Sequence, residues 1–190
     1  SLDGTLLAAP IIANPSLFYA DESAFARSGL SLPLDGWSWE EFLTVCRRLK
    51  ANDFIPFGLF PAVGCLYEWL LSQAGGDYFT ENGEVGLEWE PFQEMIGFLR
   101  TLHAEDLCVN FYQLGGSYPK FIRRNHVAMS CLGPLLGCHL GDQATNWTWL
   151  PMPGNGDDRS RMIIVALGVP KTAEHPEAAW TFLANALNPD

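Results

Sequence analysis

Six carboxylates crowd one stretch of the chain: Asp77, Glu81, Glu84, Glu88, Glu90 and Glu94. Two carboxyl groups facing one another across a cleft could cleave a glycosidic bond, one as general acid and the other as base or nucleophile. These acids, however, flank a turn signal, Glu81-Asn82-Gly83-Glu84. A charge run around a turn is more often a solvated face than a catalytic pair. Other catalytic patterns are missing. Gly115-Gly116-Ser117-Tyr118-Pro119 lacks the closing Gly of a nucleophile elbow. Neither a Walker A loop nor a dinucleotide-binding Gly-rich turn occurs.

Metal ligation is poorly supported. His103, His126, His139 and His175 never fall at the HxxxH spacing. Cys131, Cys138 and His139 could approach one another, but structural metal sites usually show tighter ligand spacing. No metal and no cofactor is expected. The five cysteines, Cys46, Cys65, Cys108, Cys131 and Cys138, include no CxxC pair, and they read mainly as buried thiols acting as small hydrophobes. Asn146-Trp147-Thr148 is a formal glycosylation sequon, read as accidental. Aromatic residues are the richer signal, at 13% with seven Trp. Their rings can stack on the C–H faces of sugars or fill a core. Trp39, Trp69 and Trp180 fall on apolar helical faces and are assigned to the core, whereas Phe60, Tyr67 and Tyr118 lie in or near loops and remain candidates for ligand contact.

The totals exclude several partners. A net charge of −11 and a pI near 4.6 argue against nucleic acid, whose phosphates need clustered Lys and Arg, and against an anionic membrane surface. With 48% hydrophobic and 17% charged residues over 190 positions, the chain can build a sizeable core. No apolar run approaches a membrane span. The chain opens at Ser1-Leu2-Asp3-Gly4 without a signal sequence, as a processed product or an excised fragment would.

The elements that must position these residues alternate between strand and helix. Leu6 to Asn14 and Leu17 to Tyr19 read as strands, and Asp21 to Ser28 as a short helix stopped by Gly29. Ser38 and Glu41 form a capping box for a helix burying Trp39, Phe42, Leu43, Cys46 and Leu49. Phe54 to Leu59 is a strand. Leu66 to Gln73 is a buried helix closed by Gly75-Gly76. A hairpin follows, and then a helix with Pro91 in its first turn and Phe92, Met95, Ile96, Leu99 and Leu102 on one face. Asn110 to Pro119 reads as loop or irregular helix, Phe121 to Arg124 as helix, and Asn125 as a left-handed residue. His126 to Leu132 reads as a buried strand, Leu135 to Leu140 as a short helix and Asn146 to Pro151 as a half-buried strand. Met162 to Val169 is apolar enough for a central strand. A last helix, Pro176 to Leu187, points Trp180, Leu183 and Leu187 inward. The alternation predicts an α/β fold.

The spelling and order of these pieces carry a resemblance. Asp35 to Phe42 is similar to a D-x-W-T-W-x-x-F helix start. Gly75 to Phe79 is similar to G-G-x-x-F. Val127-Ala128-Met129 followed by Gly133-Pro134 is similar to V-A-M…G-P-W, and Leu150-Pro151-Met152-Pro153 to P-L-P. Pro170-Lys171-Thr172 with His175-Pro176-Glu177-Ala178-Ala179-Trp180 is similar to P-K-T…H-P-E-A-A-W. In this order they resemble the family 1 extracellular solute-binding proteins of ABC importers, the relatives of maltose-binding protein.

The resemblance implies an α/β fold of the periplasmic-binding-protein type II kind, a mixed sheet flanked by helices. It implies a non-enzymatic protein that closes two lobes on a small ligand, usually a sugar or oligosaccharide, and delivers it to ABC permease membrane subunits. It also implies an extracytoplasmic location, periplasmic or as a cell-surface lipoprotein. Residues 15–160 would form the second lobe. Residues 1–14 and 161–190 would form a hinge strand and partial elements of the first, and their severed strand edges could drive self-association. The ligand-binding positions implied are Asn14 and Ser16 at the hinge, Phe60, Cys65 and Tyr67 before and in the buried helix, and the turn Gly133, Pro134 and Leu135; Tyr118 joins them as a loop aromatic. Leu135 stands where the family's turn usually has Trp, and Ile163-Ile164 stand where its last strand has Gly-Gly. Both departures weaken the sugar assignment. The rival is an α/β glycoside hydrolase fragment using paired carboxylates.

Overall fold

The computed structural model describes residues 8–15, 17–59, 65–80, 82–87, 89–110, 126–132, 146–154 and 162–188. The chain divides into two compact units, Ser16–Arg161 and Ser1–Pro15 with Met162–Asp190.

The larger unit is a five-stranded mixed sheet with helices. Its strands are β2 (Leu17–Asp21), β3 (Ile55–Leu59), β4 (Cys108–Asn110), β5 (Val127–Leu132) and β6 (Trp147–Leu150), in the spatial order β4-β3-β5-β2-β6. β3 runs parallel to β4 and β5, and β2 runs antiparallel to β5 and β6. Its helices are α1 (Glu22–Arg27), α2 (Trp39–Lys50), α3 (Cys65–Gln73) and α4 (Trp89–Ala104). A mixed α/β sheet of this kind is the fold class that the alternation predicted.

Local chemistry explains the ends of these elements. Asp21 caps α1 by accepting from the Ser23 N–H at 2.8 Å. The capping box of α2 is formed. The Glu41 N–H donates to Ser38 Oγ at 3.2 Å, and the Ser38 N–H donates to Glu41 Oε2 at 2.7 Å. Those bonds to the ionised form hold the Glu41 carboxyl below its usual range. Gly75 sits at φ +85° and ends α3. At Gly76 a Cβ would come within 2.7 Å of Pro91 Cβ, so glycine there lets the start of α4 approach the end of α3. α4 begins two residues before Pro91.

Phe18 is the hub of the core. Its ring stacks on Phe57 and meets Trp37 and Phe42 edge-on, all with centroids 5.6 Å apart. Trp39 stacks on Phe98 across the α2–α4 contact at 4.5 Å. Trp39 and Trp69 are buried, as their helical positions predicted. The α4 face differs slightly from expectation. Met95, Phe98 and Leu102 are buried, whereas Ile96 lies at the solvent margin, because the contact with α2 centres on Phe98. The α2 and α4 C-termini are joined by Arg47, which forks onto both Glu105 carboxylate oxygens at 2.6 and 2.7 Å. Left-handed conformation falls on His126, φ 52°, one residue beyond the predicted Asn125, which lies outside the described residues.

The smaller unit pairs β1 (Ala9–Pro15) antiparallel with β7 (Met162–Leu167) and carries α5 (Pro176–Leu187), with Pro176 in its first turn. β7 is not a central strand. Among the described residues it has one neighbour, and Met162, Ile164, Val165 and Leu167 are 37 to 60% exposed. Within α5 only Leu183 is buried, while Trp180 and Leu187 are exposed. Apolar content predicted burial in both cases, but two strands and one helix do not supply enough covering surface within this unit. The predicted helices at 121–124 and 135–140 lie outside the described residues.

Candidate functional site

Strand direction brings several chain positions to one edge of the larger sheet. β3 and β4 are parallel with Leu59 opposite Asn110, and Gly58 lies opposite Ser130 of β5. β2 is antiparallel, so its first residue, Leu17, lies opposite the last residue of β5, Leu132. Phe18 lies opposite Leu150, the end of β6. The carboxyl ends of β3, β4, β5 and β6 and the start of β2 therefore share one edge. In open α/β sheets, ligands bind outside the carboxyl ends of the strands. Ser130 locks this end by donating from its buried hydroxyl to the Gly58 carbonyl at 3.1 Å.

The implied ligand residues relate to this edge unevenly. In sequence, Ser16 precedes β2, Phe60 follows β3, and Gly133, Pro134 and Leu135 follow β5. These five and Tyr118 lie outside the described residues. Asn14 is in β1 of the smaller unit, its backbone opposite Ile163. Cys65 is the first residue of α3. Tyr67 is half-buried against the core and lines an open groove of about 940 Å³ with Ile96, Leu99, Arg100 and His103 of α4.

Asn110 was not singled out from sequence. It ends β4 beside Leu59, a half-buried amide at the edge where a polar ligand would lie. The available signal was the run Cys108-Val109-Asn110 straight after a helix, where βαβ alternation calls for a strand.

Two of the described thiols are poor nucleophiles. Burial pushes the Cys46 thiol up, and burial with the Asp106 charge pushes Cys108 up to about 12. Both are therefore neutral at pH 7, the less reactive form. His103 ring nitrogens lie 3.7 and 3.9 Å from Cys108 Sγ. Among the described residues, no group of three or more His, Cys, Asp or Glu is arranged to hold a metal ion. Asp77, Glu84, Glu90 and Glu94 are exposed on the hairpin and α4. No described helix is long and apolar enough to cross a membrane.

No family model matches this sequence, and no curated protein matches it. Solved structures do. An ABC transporter solute-binding protein from Thermotoga lettingae bound with alpha-D-tagatose aligns with 99% of this chain and 51% of its own, at TM-score 0.83 and 19% identity. An ABC substrate-binding protein from Listeria monocytogenes in complex with cycloalternan aligns with 98% of this chain and 49% of its own, at TM-score 0.80 and 19% identity. A Mycobacterium tuberculosis protein, UgpB, in complex with glycerophosphocholine aligns with all of this chain and 49% of its own, at TM-score 0.77 and 16% identity. The chain spans about half the length of the solved structures it matches. It has the fold of the matched half of these solute-binding proteins, as the sequence resemblance implied.

Proposed function

We propose that this chain is part of the extracytoplasmic solute-binding component of an ABC transport system, and that it contributes one wall of a cleft closing on a sugar or oligosaccharide. The observation that carries this reading is the fold match across essentially the whole chain to proteins solved with tagatose and with cycloalternan. In this reading residues 15–160 are one lobe, and residues 1–14 and 161–190 are a hinge strand and elements of the other. The wall is the carboxyl edge of the sheet. The residues proposed to contact the ligand are Asn14, Ser16, Phe60, Cys65, Tyr67, Tyr118, Gly133, Pro134 and Leu135, joined by Asn110. Backbone N–H groups after Gly133 and the Asn side chains would hold hydroxyls, and the aromatic rings would hold sugar faces. Delivery to permease subunits completes the cycle. The neighbours are binding proteins, and the hairpin acids are exposed, so a hydrolase is the weaker reading.

Calorimetry of the full-length protein against a sugar panel, with a product assay alongside, tests this. Binding without turnover supports it, and Asn110→Ala should weaken that binding about tenfold. Cleavage abolished by a single Glu→Gln change would overturn it.

The smaller unit supports a second statement. Ile12, Met162, Ile164, Trp180 and Phe182 are all more than half exposed. We propose that the isolated chain self-associates through these strands and α5. Sedimentation velocity showing only monomer across a wide concentration range would remove this.

A further inference from the structure

The larger unit carries an exposed apolar ridge made of residues not assigned to the site just described. Phe79 and Val85 form an antiparallel bridge, so their side chains stand on the same face of a short hairpin. That hairpin is firmly made. The Thr80 N–H donates to the Glu84 carbonyl at 2.8 Å, and the Gly86 N–H donates to the Tyr78 carbonyl at 2.8 Å. Gly86 is required there, since a Cβ would come within 2.9 Å of the Thr80 backbone nitrogen. Leu87 follows Val85 by two, and Trp89 opens α4, its ring stacked on Phe92 at 6.4 Å. The exposures are 61% for Phe79, 75% for Val85, 49% for Leu87 and 68% for Trp89.

The chain segment that carries this ridge has charges of one sign. Between Ala51 and Leu99 there is no Lys, Arg or His, against eight Asp or Glu. Asp77, Glu84, Glu90 and Glu94 are exposed beside the ridge in sequence. This pattern discriminates among occupants. A second copy meeting the ridge through a two-fold axis would set acid against acid. An anionic bilayer would be repelled. A polypeptide surface with apolar side chains among Lys and Arg satisfies both features.

We infer that the hairpin and the start of α4 form a docking surface for a cationic, apolar-bearing segment of a partner protein. The apolar ridge supplies affinity, and the surrounding acids supply orientation and speed of encounter. None of these residues is among those assigned to the cleft, so variants here test this inference separately from that reading.

The test uses the full chain and a synthetic peptide of alternating leucine and lysine, with hydrogen exchange to locate the contact. Slowed amide exchange over residues 77–94 is expected. The double variants Val85→Ser/Trp89→Ser and Glu84→Gln/Glu90→Gln should each weaken binding about tenfold. A serine–lysine peptide of equal charge should bind at least as much more weakly. Should a double variant misfold by circular dichroism, Val85→Ser alone serves, since that side chain is the most exposed of the four. Three results would overturn the inference: protection confined to the smaller unit, equal binding of the serine–lysine peptide, or preferential binding of phosphatidylglycerol vesicles over the peptide.

Discussion

Phe18 and Trp180 are both aromatic residues in the middle of regular elements, yet one is 0% exposed and the other 58%. The contrast extends to the units that hold them. Ser16–Arg161 buries Phe18, Phe25, Phe42, Phe57, Trp69 and a run of Leu side chains in one cluster. In the smaller unit Ala9 and Leu183 are the buried hydrophobics among the described residues, beside the exposed side chains of β1, β7 and α5. Similar hydrophobic content thus meets two different fates. A five-stranded sheet covered by helices can enclose a core, whereas a two-stranded ribbon is marginal on its own in water. The difference teaches that hydrophobic content does not bury a residue unless enough covering surface lies nearby.

The comparison can be broken most directly in the larger core. Phe18→Ala removes the ring that meets Trp37, Phe42 and Phe57 and should cost about 3–5 kcal/mol in denaturant unfolding. A loss below about 1 kcal/mol would mean that the aromatic cluster is not the hub of this unit. Next in size is the cap of α2. Ser38→Ala should cost about 1 kcal/mol, because the Glu41 N–H loses its Ser38 Oγ acceptor and Glu41 Oε2 loses the Ser38 hydroxyl. The Glu41 half of the same box adds a pH signature. Its folded carboxyl titrates lower than the unfolded one, so its contribution is present above the ordinary carboxylate range and fades as pH falls through it. Glu41→Gln should flatten the acid limb of the stability profile.

An alkaline limb sharpens the contrast further. Cys108 is raised from 9.0 to about 12, so the folded state holds its proton longer than the unfolded state does. Its contribution is complete below pH 9 and declines as pH rises toward 12. Cys108→Ala should remove part of that decline, and alkylation of Cys108 at pH 8 should be slow until the chain is unfolded. The smallest effect is expected in the other unit. Trp180→Ser should change the unfolding free energy of dilute protein by less than about 0.5 kcal/mol while reducing self-association in sedimentation. A cost above about 2 kcal/mol would show Trp180 buried in solution, and the comparison would fail.

Local chemistry was legible without coordinates. The capping box at Ser38, the stop at Gly75, the hairpin at Asn82-Gly83 and the helical faces of α2 and α3 all follow from neighbours a few residues apart. The order of motifs also indicated the fold that the solved structures share. Burial of β7 and α5 was misread, because hydrophobicity reports what a residue prefers and says nothing of what surface is available nearby. The three-residue strand β4 was missed, since three residues are too few to show a strand period and only the pairing with β3 some fifty residues upstream makes it plain.

The sequence by itself determined the helices, their caps and the α/β class, because hydrogen bonds and side-chain periodicity within one element depend on residues close along the chain. Only the tertiary structure decided which apolar faces are covered and which strand ends share an edge. Those outcomes depend on strand order and direction, which join residues far apart in sequence: Leu59 to Asn110, Leu17 to Leu132, Ala9 to Leu167.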